Sequence, residues 1–320
     1  MKILVTGGAG FIGSNLCIKL LGDGHQIRVL DDLSNGSTAN LDLNQIDFIE
    51  GSILDISILG KAVKDVDAVV HLAALGSVPR SIQDPRSSIE VNFTGTLNVL
   101  EALKDRKTPM IFSSSSSLYG ESKVLPRIET TAAEPRSPYA VSKLAAESLV
   151  SAYYHSYGIP TLSFRFFNVY GPRQSFGHPY AAFIPIIFES LLKEEPIKIF
   201  GDGEQVRDFT YVDFVTDAIS EAIEKRIYSS TAVNLGSASK ISINALVSLI
   251  CKITSKTPKI EHLPERNGDV RNSYANTEKL LDLFPLLSSI DIEAGLQKTY
   301  DWYLSNIDND DVTLSTKKLS

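Results

Sequence analysis

Eight residues, Thr6-Gly7-Gly8-Ala9-Gly10-Phe11-Ile12-Gly13, constrain this chain more than any others. They stand between an apolar run, Lys2–Thr6, and an amphipathic segment, Phe11–Gly22. They read as GxGxxG from Gly8 and as GxxGxxG from Gly7. Glycines at a strand-to-helix junction permit a tight turn, let backbone approach a pyrophosphate, and pack helix closely on strand. The free amides and the dipole of the helix N-terminus then favour phosphate. An isolated GxGxxG is as often a plain turn, so the surroundings decide. Here the next apolar run ends in Asp31, 18 residues after Gly13. That is close to the spacing of roughly 20 expected for an acid that takes a ribose diol. No Arg or Lys falls within 31–40 to meet a 2′-phosphate, which the Asp31 charge would repel. The reading is NAD rather than NADP.

The alternation continues. Strands are expected at Lys2–Thr6, Gln26–Asp31, 47–50, Ala68–His71, 109–113 and Thr161–Phe166, with helices at Phe11–Gly22, 56–63, 88–103 and 139–157. Continuous apolar strands separated by helices imply a parallel sheet covered on both faces. Right-handed crossovers make it a doubly wound α/β sheet of the Rossmann kind. After residue 171 the rhythm changes, with helices expected at 183–193, Val212–Glu224 and Ile243–Thr254 and a short strand at Ile197–Phe200. The expected division is a cofactor domain at 1–170, a smaller α/β substrate lobe at 171–308 and a frayed polar tail at 309–320.

Tyr139 and Lys143 form YxxxK at the start of a helix, after Ser137-Pro138. An i,i+4 pair shares one helix face, so an ammonium can lie near the phenol and favour the phenolate. Alone the pattern is weak. It gains weight from the glycine turn and from the serine run 113–117, which is too short for a linker and closes an apolar strand.

These residues resemble the extended short-chain dehydrogenase/reductase family: TGGAGFIGS, Asp31, HLAA at 71–74, SSSSSLYG at 113–120 and YAVSK at 139–143. The likeness continues through RFFNVYGPRQ at 165–174, GDGEQVRDFTYVDF at 201–214 and RNGDVRNSYAN at 266–276. Within the family the chain is similar to the nucleotide-sugar 4-epimerases. The resemblance implies NAD held by Gly7, Gly10, Phe11, Ile12, Gly13, Asp31 and Asp32. Asn35, Ser52, Ile53, Leu72, Ala73 and Asn92 match positions that line adenine, ribose and nicotinamide, and Phe166 falls beside the cofactor. Ser115 matches the catalytic serine, Tyr139 the acid/base, and Lys143 the residue that holds the nicotinamide ribose and lowers the tyrosine pKa. On the substrate side it implies Ser77, Ser115 and Ser117, with Asn168 at the diphosphate, Phe200 at the uracil, Arg207 and Arg266 on the phosphates, Asp269 at the uridine ribose and Ser273 near the sugar.

Other chemistry finds little support. With 31 Lys+Arg against 38 Asp+Glu, the net charge of −7 argues against reading a nucleic-acid backbone. No apolar run reaches the eighteen or so residues of a membrane span. The N-terminus does not read as a secretory signal, so a cytoplasmic protein is expected. Two cysteines and five histidines show no ligand spacing, and no metal is expected.

Three reactions compete within the resemblance. The 4,6-dehydratases carry an Asp-Glu pair where this chain has Ser116 and Ser117, neither of which can protonate a leaving hydroxyl. A keto-sugar reductase and a non-catalytic dinucleotide-binding module are the alternatives to a 4-epimerase. Ser273 falls where strict UDP-glucose/UDP-galactose epimerases carry tyrosine, which leaves room for a 2-acetamido group. Glucuronate epimerases carry arginine where this chain has Ser175. AALGSVPRS at 73–81 also looks like the N-acetylhexosamine enzymes. The expectation is interconversion of UDP-N-acetylglucosamine and UDP-N-acetylgalactosamine, with weaker activity on UDP-glucose/UDP-galactose, feeding surface polysaccharide synthesis. The resemblance further implies a homodimer joined through 88–103 and 139–157.

Overall fold

The computed structural model describes residues 1–175, 182–265 and 270–310. In β1 (Lys2–Thr6), Ile3, Leu4 and Val5 are all fully buried. A strand apolar on both faces requires a helical layer on each side. The chain supplies it by alternation: α1 (Phe11–Gly22), β2 (Gln26–Asp31), β3 (Ile46–Glu50), α2 (Ile56–Ala62), β4 (Ala68–His71), α3 (Val78–Gln83), α4 (Pro85–Ile89), α5 (Gly95–Leu103), β5 (Met110–Ser115), α6 (Pro138–Tyr157) and β6 (Thr161–Phe166). Then follow β7 (Val169–Tyr170), α7 (Phe183–Leu192), β8 (Ile197–Phe200), β9 (Val206–Arg207), β10 (Thr210–Tyr211), α8 (Val212–Glu224), β11 (Val233–Leu235), β12 (Ile241–Ser242), α9 (Ile243–Thr254), β13 (Ile260–Leu263), β14 (Asn272–Ser273), α10 (Glu278–Leu283) and α11 (Ile292–Asp310).

The main sheet is seven-stranded and parallel, in the order β11-β6-β5-β4-β1-β2-β3. The chain leaves β1 in one direction toward β2 and β3 and returns to its other side as β4. The cleft between the ends of β1 and β4 is thus the switch point where doubly wound sheets bind ligands. One face of the sheet packs on α1, α8 and α10, and the other on α2, α5 and α6. A third apolar cluster, from α7, β8, α9 and α11, forms the core of the smaller lobe.

The structure differs from the sequence reading at several points. β5 runs two residues past the expected end, through Ser114 and Ser115, and all six of its residues are buried. Its serines tolerate burial because each hydroxyl is bonded, Ser113 Oγ donating to His71 O at 3.0 Å. The helix expected over 88–103 is broken by one π-helical turn at Glu90–Thr94, which buries Asn92. Helix α3 was not expected; Ser77 caps it, accepting from Arg80 N, and Pro79 opens its first turn. The boundary at 170 is crossed by the chain, since α8 covers α1 and β11 adds the seventh strand beside β6. Helix α11 extends to Asp310, past the expected start of the tail at 309.

Candidate active site

The glycine turn is shaped by close approach. Gly7 has φ +73°, and a Cβ there would lie 2.7 Å from Ala73 N, so the turn after β1 is pressed on the segment after β4. A Cβ on Gly13 would lie 2.2 Å from Gly7 O. Asp31, buried at the end of β2, is tied to this turn: Oδ2 accepts from Ala9 N and Oδ1 from Leu33 N, each at 2.9 Å. Burial raises the Asp31 pKa, and those two amides oppose the shift. A bare backbone cradle with a fixed carboxylate at its rim fits a dinucleotide.

Other residues expected at the cofactor lie around this cleft. Asp32 is exposed and its carboxylate accepts from Ser34 N at 3.0 Å. The Asn35 amide oxygen accepts from Arg80 Nη1 at 3.0 Å, and Ser52 Oγ accepts from Leu54 N at 3.2 Å. Ile53 is buried against Gly95, whereas Phe11, Ile12, Leu72, Ala73 and Phe166 are half-buried at the edges of the cores. Asn92 is fully buried and its amide is committed inside the protein. Oδ1 accepts from Leu75 N at 2.8 Å, while Nδ2 donates to Ser142 Oγ at 3.0 Å and to Leu75 O at 3.3 Å. Its side chain therefore pins the loop after β4 to α6.

The end of β5 meets the start of α6 at Tyr139 and Lys143, the pair expected to be catalytic. Ser137 caps α6, accepting from Ala140 N, and the helix ends at left-handed Gly158. Burial raises the Tyr139 phenol pKa, and the Ser115 side chain draws it back. Ser115 Oγ also donates to Ser117 Oγ at 2.9 Å. Lys143 is buried, with Nζ donating to Ser113 Oγ at 3.5 Å and lying 4.8 Å from the centre of the Phe112 ring. Burial lowers its pKa to about 7, against the opposing charge of Glu147. His71 is buried between Thr6 Oγ1 at 2.7 Å and Thr96 Oγ1 at 3.0 Å. Burial and Lys143 lower its pKa to about 3, so it is a neutral structural imidazole.

Sequence reasoning missed the layer behind this pair. Glu147 accepts from Ser114 Oγ at 2.5 Å and pairs with Arg165 at 2.6 Å. Arg165 Nη1 donates to Tyr119 Oη at 2.7 Å, and Tyr119 donates to Asn234 Oδ1 at 2.6 Å. Lys143 and Glu147 share i,i+4 spacing, which was a signal; the distance in sequence to Arg165 and Asn234 concealed the rest.

On the substrate side, β12, β9 and β14 form a three-stranded sheet. It places Arg207 opposite Ser273 on one side and Ile241 on the other. Arg207 Nη1 donates to Val206 O at 3.0 Å and Arg271 O at 3.1 Å. Asn168 Nδ2 donates to Asp208 O at 2.9 Å, which joins Asn168 to the strand of Arg207. Asp208, also missed, is fully buried and accepts from Ser237 Oγ at 2.9 Å and Ala275 N at 3.2 Å. Phe200 ends β8 and is half-buried. Ser77 sits at the cap of α3 and Ser117 at the start of a 3-10 turn after β5. Arg266 and Asp269 lie outside the described residues. Among the described residues no group of three or more His, Cys, Asp or Glu could hold a metal, and no helix is long and apolar enough to cross a membrane.

The glycine cradle after β1 and the pair Tyr139 and Lys143 beside the end of β5 stand at the same edge of the parallel sheet. Residues 3–236 match the model of the NAD dependent epimerase/dehydratase family, and the chain belongs to that family. It is an enzyme of the NAD-dependent nucleotide-sugar class, with NAD as its cofactor. A UDP-N-acetyl-alpha-D-glucosaminuronate decarboxylase of Bacillus cytotoxicus is 32% identical over 97% of this chain and 99% of that protein. The UDP-N-acetylglucosamine 4-epimerase from Methanobrevibacter ruminantium, solved in complex with UDP-N-acetylmuramic acid, superposes with a TM-score of 0.90. It is 34% identical, with 95% of this chain and 98% of that one covered. The Thermus thermophilus UDP-glucose 4-epimerase, solved with NAD, has a TM-score of 0.88 and 33% identity over 95% of this chain and 99% of that one.

Proposed function

We propose that this chain is a UDP-sugar 4-epimerase that interconverts UDP-N-acetylglucosamine and UDP-N-acetylgalactosamine, with weaker activity on UDP-glucose and UDP-galactose. The reading is carried by Tyr139 and Lys143, one turn apart at the start of α6 and beside the serine end of β5, with Lys143 Nζ donating to Ser113 Oγ at 3.5 Å. Held at the cradle of Gly7, Gly10, Gly13 and Asp31, NAD would supply reversible hydride exchange at carbon 4. Tyr139 takes the proton of the 4-hydroxyl, with Ser115 holding the substrate oxygen, and gives a proton back after the sugar has turned over. Lys143 holds the nicotinamide ribose and stabilises the phenolate. Asn168, Arg207 and Arg266 hold the diphosphate, Phe200 the uracil and Asp269 the ribose. The nucleotide is thus anchored while the hexose is free to present either face.

Two alternatives are weaker. Dehydration needs an acid where Ser116 and Ser117 stand, and Ser117 is engaged with Ser115. Glucuronate epimerases place an arginine where this chain has exposed Ser175, which disfavours a uronic acid substrate. The 2-acetamido preference is supported by Ser273 beside Arg207 and by the N-acetylated sugars named for two of the relatives. The active form is a homodimer, supported by the exposed apolar Ile89 and Val141 on the helices α4 and α6; its mass on gel filtration with light scattering tests this. Incubation with a panel of UDP-hexoses and UDP-hexuronates, with chromatographic separation, tests the whole reading. Appearance of the 4-epimer is expected, fastest for the N-acetylated pair. Release of carbon dioxide or water from any substrate, with no 4-epimer, overturns it.

A further inference from the structure

Glu147 lies one helical turn beyond Lys143 on α6 and is buried. Its carboxylate reaches two strands: Ser114 Oγ donates to Oε2 at 2.5 Å, and Arg165 donates from Nη2 at 2.6 Å and from Nε at 3.0 Å. Ser114 stands between Ser113, which accepts from Lys143, and Ser115, whose hydroxyl donates to Ser117 Oγ and draws the Tyr139 pKa down. Ser114 is also paired opposite Arg165 in the register of β5 with β6. One carboxylate therefore fixes the ends of two strands against the helix that carries both catalytic side chains. A buried ion pair is a poor source of net stability, since apolar residues of the same volume often serve as well. Its placement directly behind the reacting groups gives it another use.

We propose that Glu147 is a positioning residue for the reaction: it clamps the serine end of β5 to α6 and places a negative charge one turn behind the Lys143 ammonium. The proposal rests on Tyr139 and Lys143 acting as assigned above. The groups facing Lys143 are Tyr139 and Glu147 from its own helix, Ser113 and the Phe112 ring from β5, His71 from β4, and Arg165 from β6 across the Glu147 carboxylate. His71 is neutral, so Glu147 is the counter-charge that acts on Lys143 and opposes the effect of its burial. Without that charge Lys143 loses its proton at lower pH and stabilises the Tyr139 phenolate less.

Glu147→Gln keeps an acceptor for Ser114 and removes the charge. Lysines labelled with carbon-13 at Cε are titrated by NMR in the NAD-loaded enzyme, the Lys143 signal being identified by its loss in Lys143→Arg. The Lys143 midpoint should fall by about one pH unit in Glu147→Gln. The value of kcat should fall by ~10-fold with KM within about twofold, since the groups that hold the nucleotide are untouched. An unmoved midpoint in the folded variant overturns the proposal. Should Glu147→Gln not fold, the double variant Glu147→Gln/Arg165→Met, which removes the Arg165 charge left without its carboxylate, carries the same expectation. Ser114→Ala keeps the charges and releases the clamp. It should lower kcat several-fold with the Lys143 midpoint in place, and full kcat overturns the clamp. The titration needs no turnover, so a wild-type enzyme without epimerase activity counts against the proposed function while Glu147 is still judged.

Discussion

Ser273 stands directly opposite Arg207 in the parallel pairing of β14 with β9. If Arg207 binds the diphosphate, a residue at 273 faces the sugar end of the same ligand. Ser273→Tyr should then exclude the 2-acetamido group selectively. Overpacking a tight site costs ~1–3 kcal/mol. At ~1.4 kcal/mol per tenfold, kcat/KM for UDP-N-acetylglucosamine should drop up to ~100-fold. UDP-galactose, with a hydroxyl at carbon 2, should be largely spared. Equal losses for both sugars, measured side by side, would remove Ser273 as the gate.

Tyr139→Phe should keep the fold and lower turnover by ~10²–10⁴-fold, the range for loss of a general base. Ser115→Ala offers a finer test through pH. Ser115 lowers the Tyr139 pKa against the effect of burial, so loss of its hydroxyl raises that pKa. The base works as phenolate and is silenced as pH falls through its pKa. The acid limb of the kcat profile should therefore move to higher pH in Ser115→Ala. A limb that stays in place or moves down would contradict the assignment.

Asp31 should set the choice of cofactor. Its carboxylate is fixed by Ala9 N and Leu33 N, so it cannot swing away from a 2′-phosphate. Isothermal titration should give much weaker binding of NADP than of NAD, and Asp31→Ser should narrow the gap. Because burial raises the Asp31 pKa, the discrimination should also relax at a higher pH than for an exposed aspartate. NADP found by mass spectrometry in the purified protein would contradict this.

Gly13→Ala tests the cradle itself. The added methyl would lie 2.2 Å from Gly7 O and 2.6 Å from Gly8 Cα, both backbone atoms that cannot rotate aside. The turn must open, and NAD should be lost from the protein while the lobe cluster around Phe188, which Phe11 alone of α1 touches among its packed hydrophobics, keeps its packing. A Gly13→Ala variant that retains NAD at wild-type stoichiometry would show that the turn tolerates the shift.

Local patterns carried most of the cofactor half. The glycine turn, Asp31 and YxxxK each lie within one element and its flanks, where spacing alone states geometry. What escaped was built from residues far apart in sequence. Arg127 is fully buried, and its guanidinium donates to the carbonyls of Gly120, Ser122, Val124 and Asn272. Nothing about an arginine between Pro126 and Ile128 announces such a place. Asp208 likewise appears as one more acid in a polar loop, yet it gathers Ser237, Ala238 and Ala275 around itself. The three-residue β11 was too short to register as a strand, although it completes the sheet. The π turn at Glu90–Thr94 follows from how Asn92 is used by Leu75 and Ser142, which periodicity cannot express.

The reaction proposed for this enzyme is epimerisation at carbon 4 with the cofactor restored in every turnover. It is tested most directly by giving the purified protein UDP-N-acetylglucosamine with no added NAD or NADH and resolving the products by chromatography. Conversion to UDP-N-acetylgalactosamine over many turnovers per active site is expected, approaching one fixed ratio from either sugar. Conversion that stops near one equivalent, or that proceeds only while nicotinamide cofactor is consumed, would contradict it.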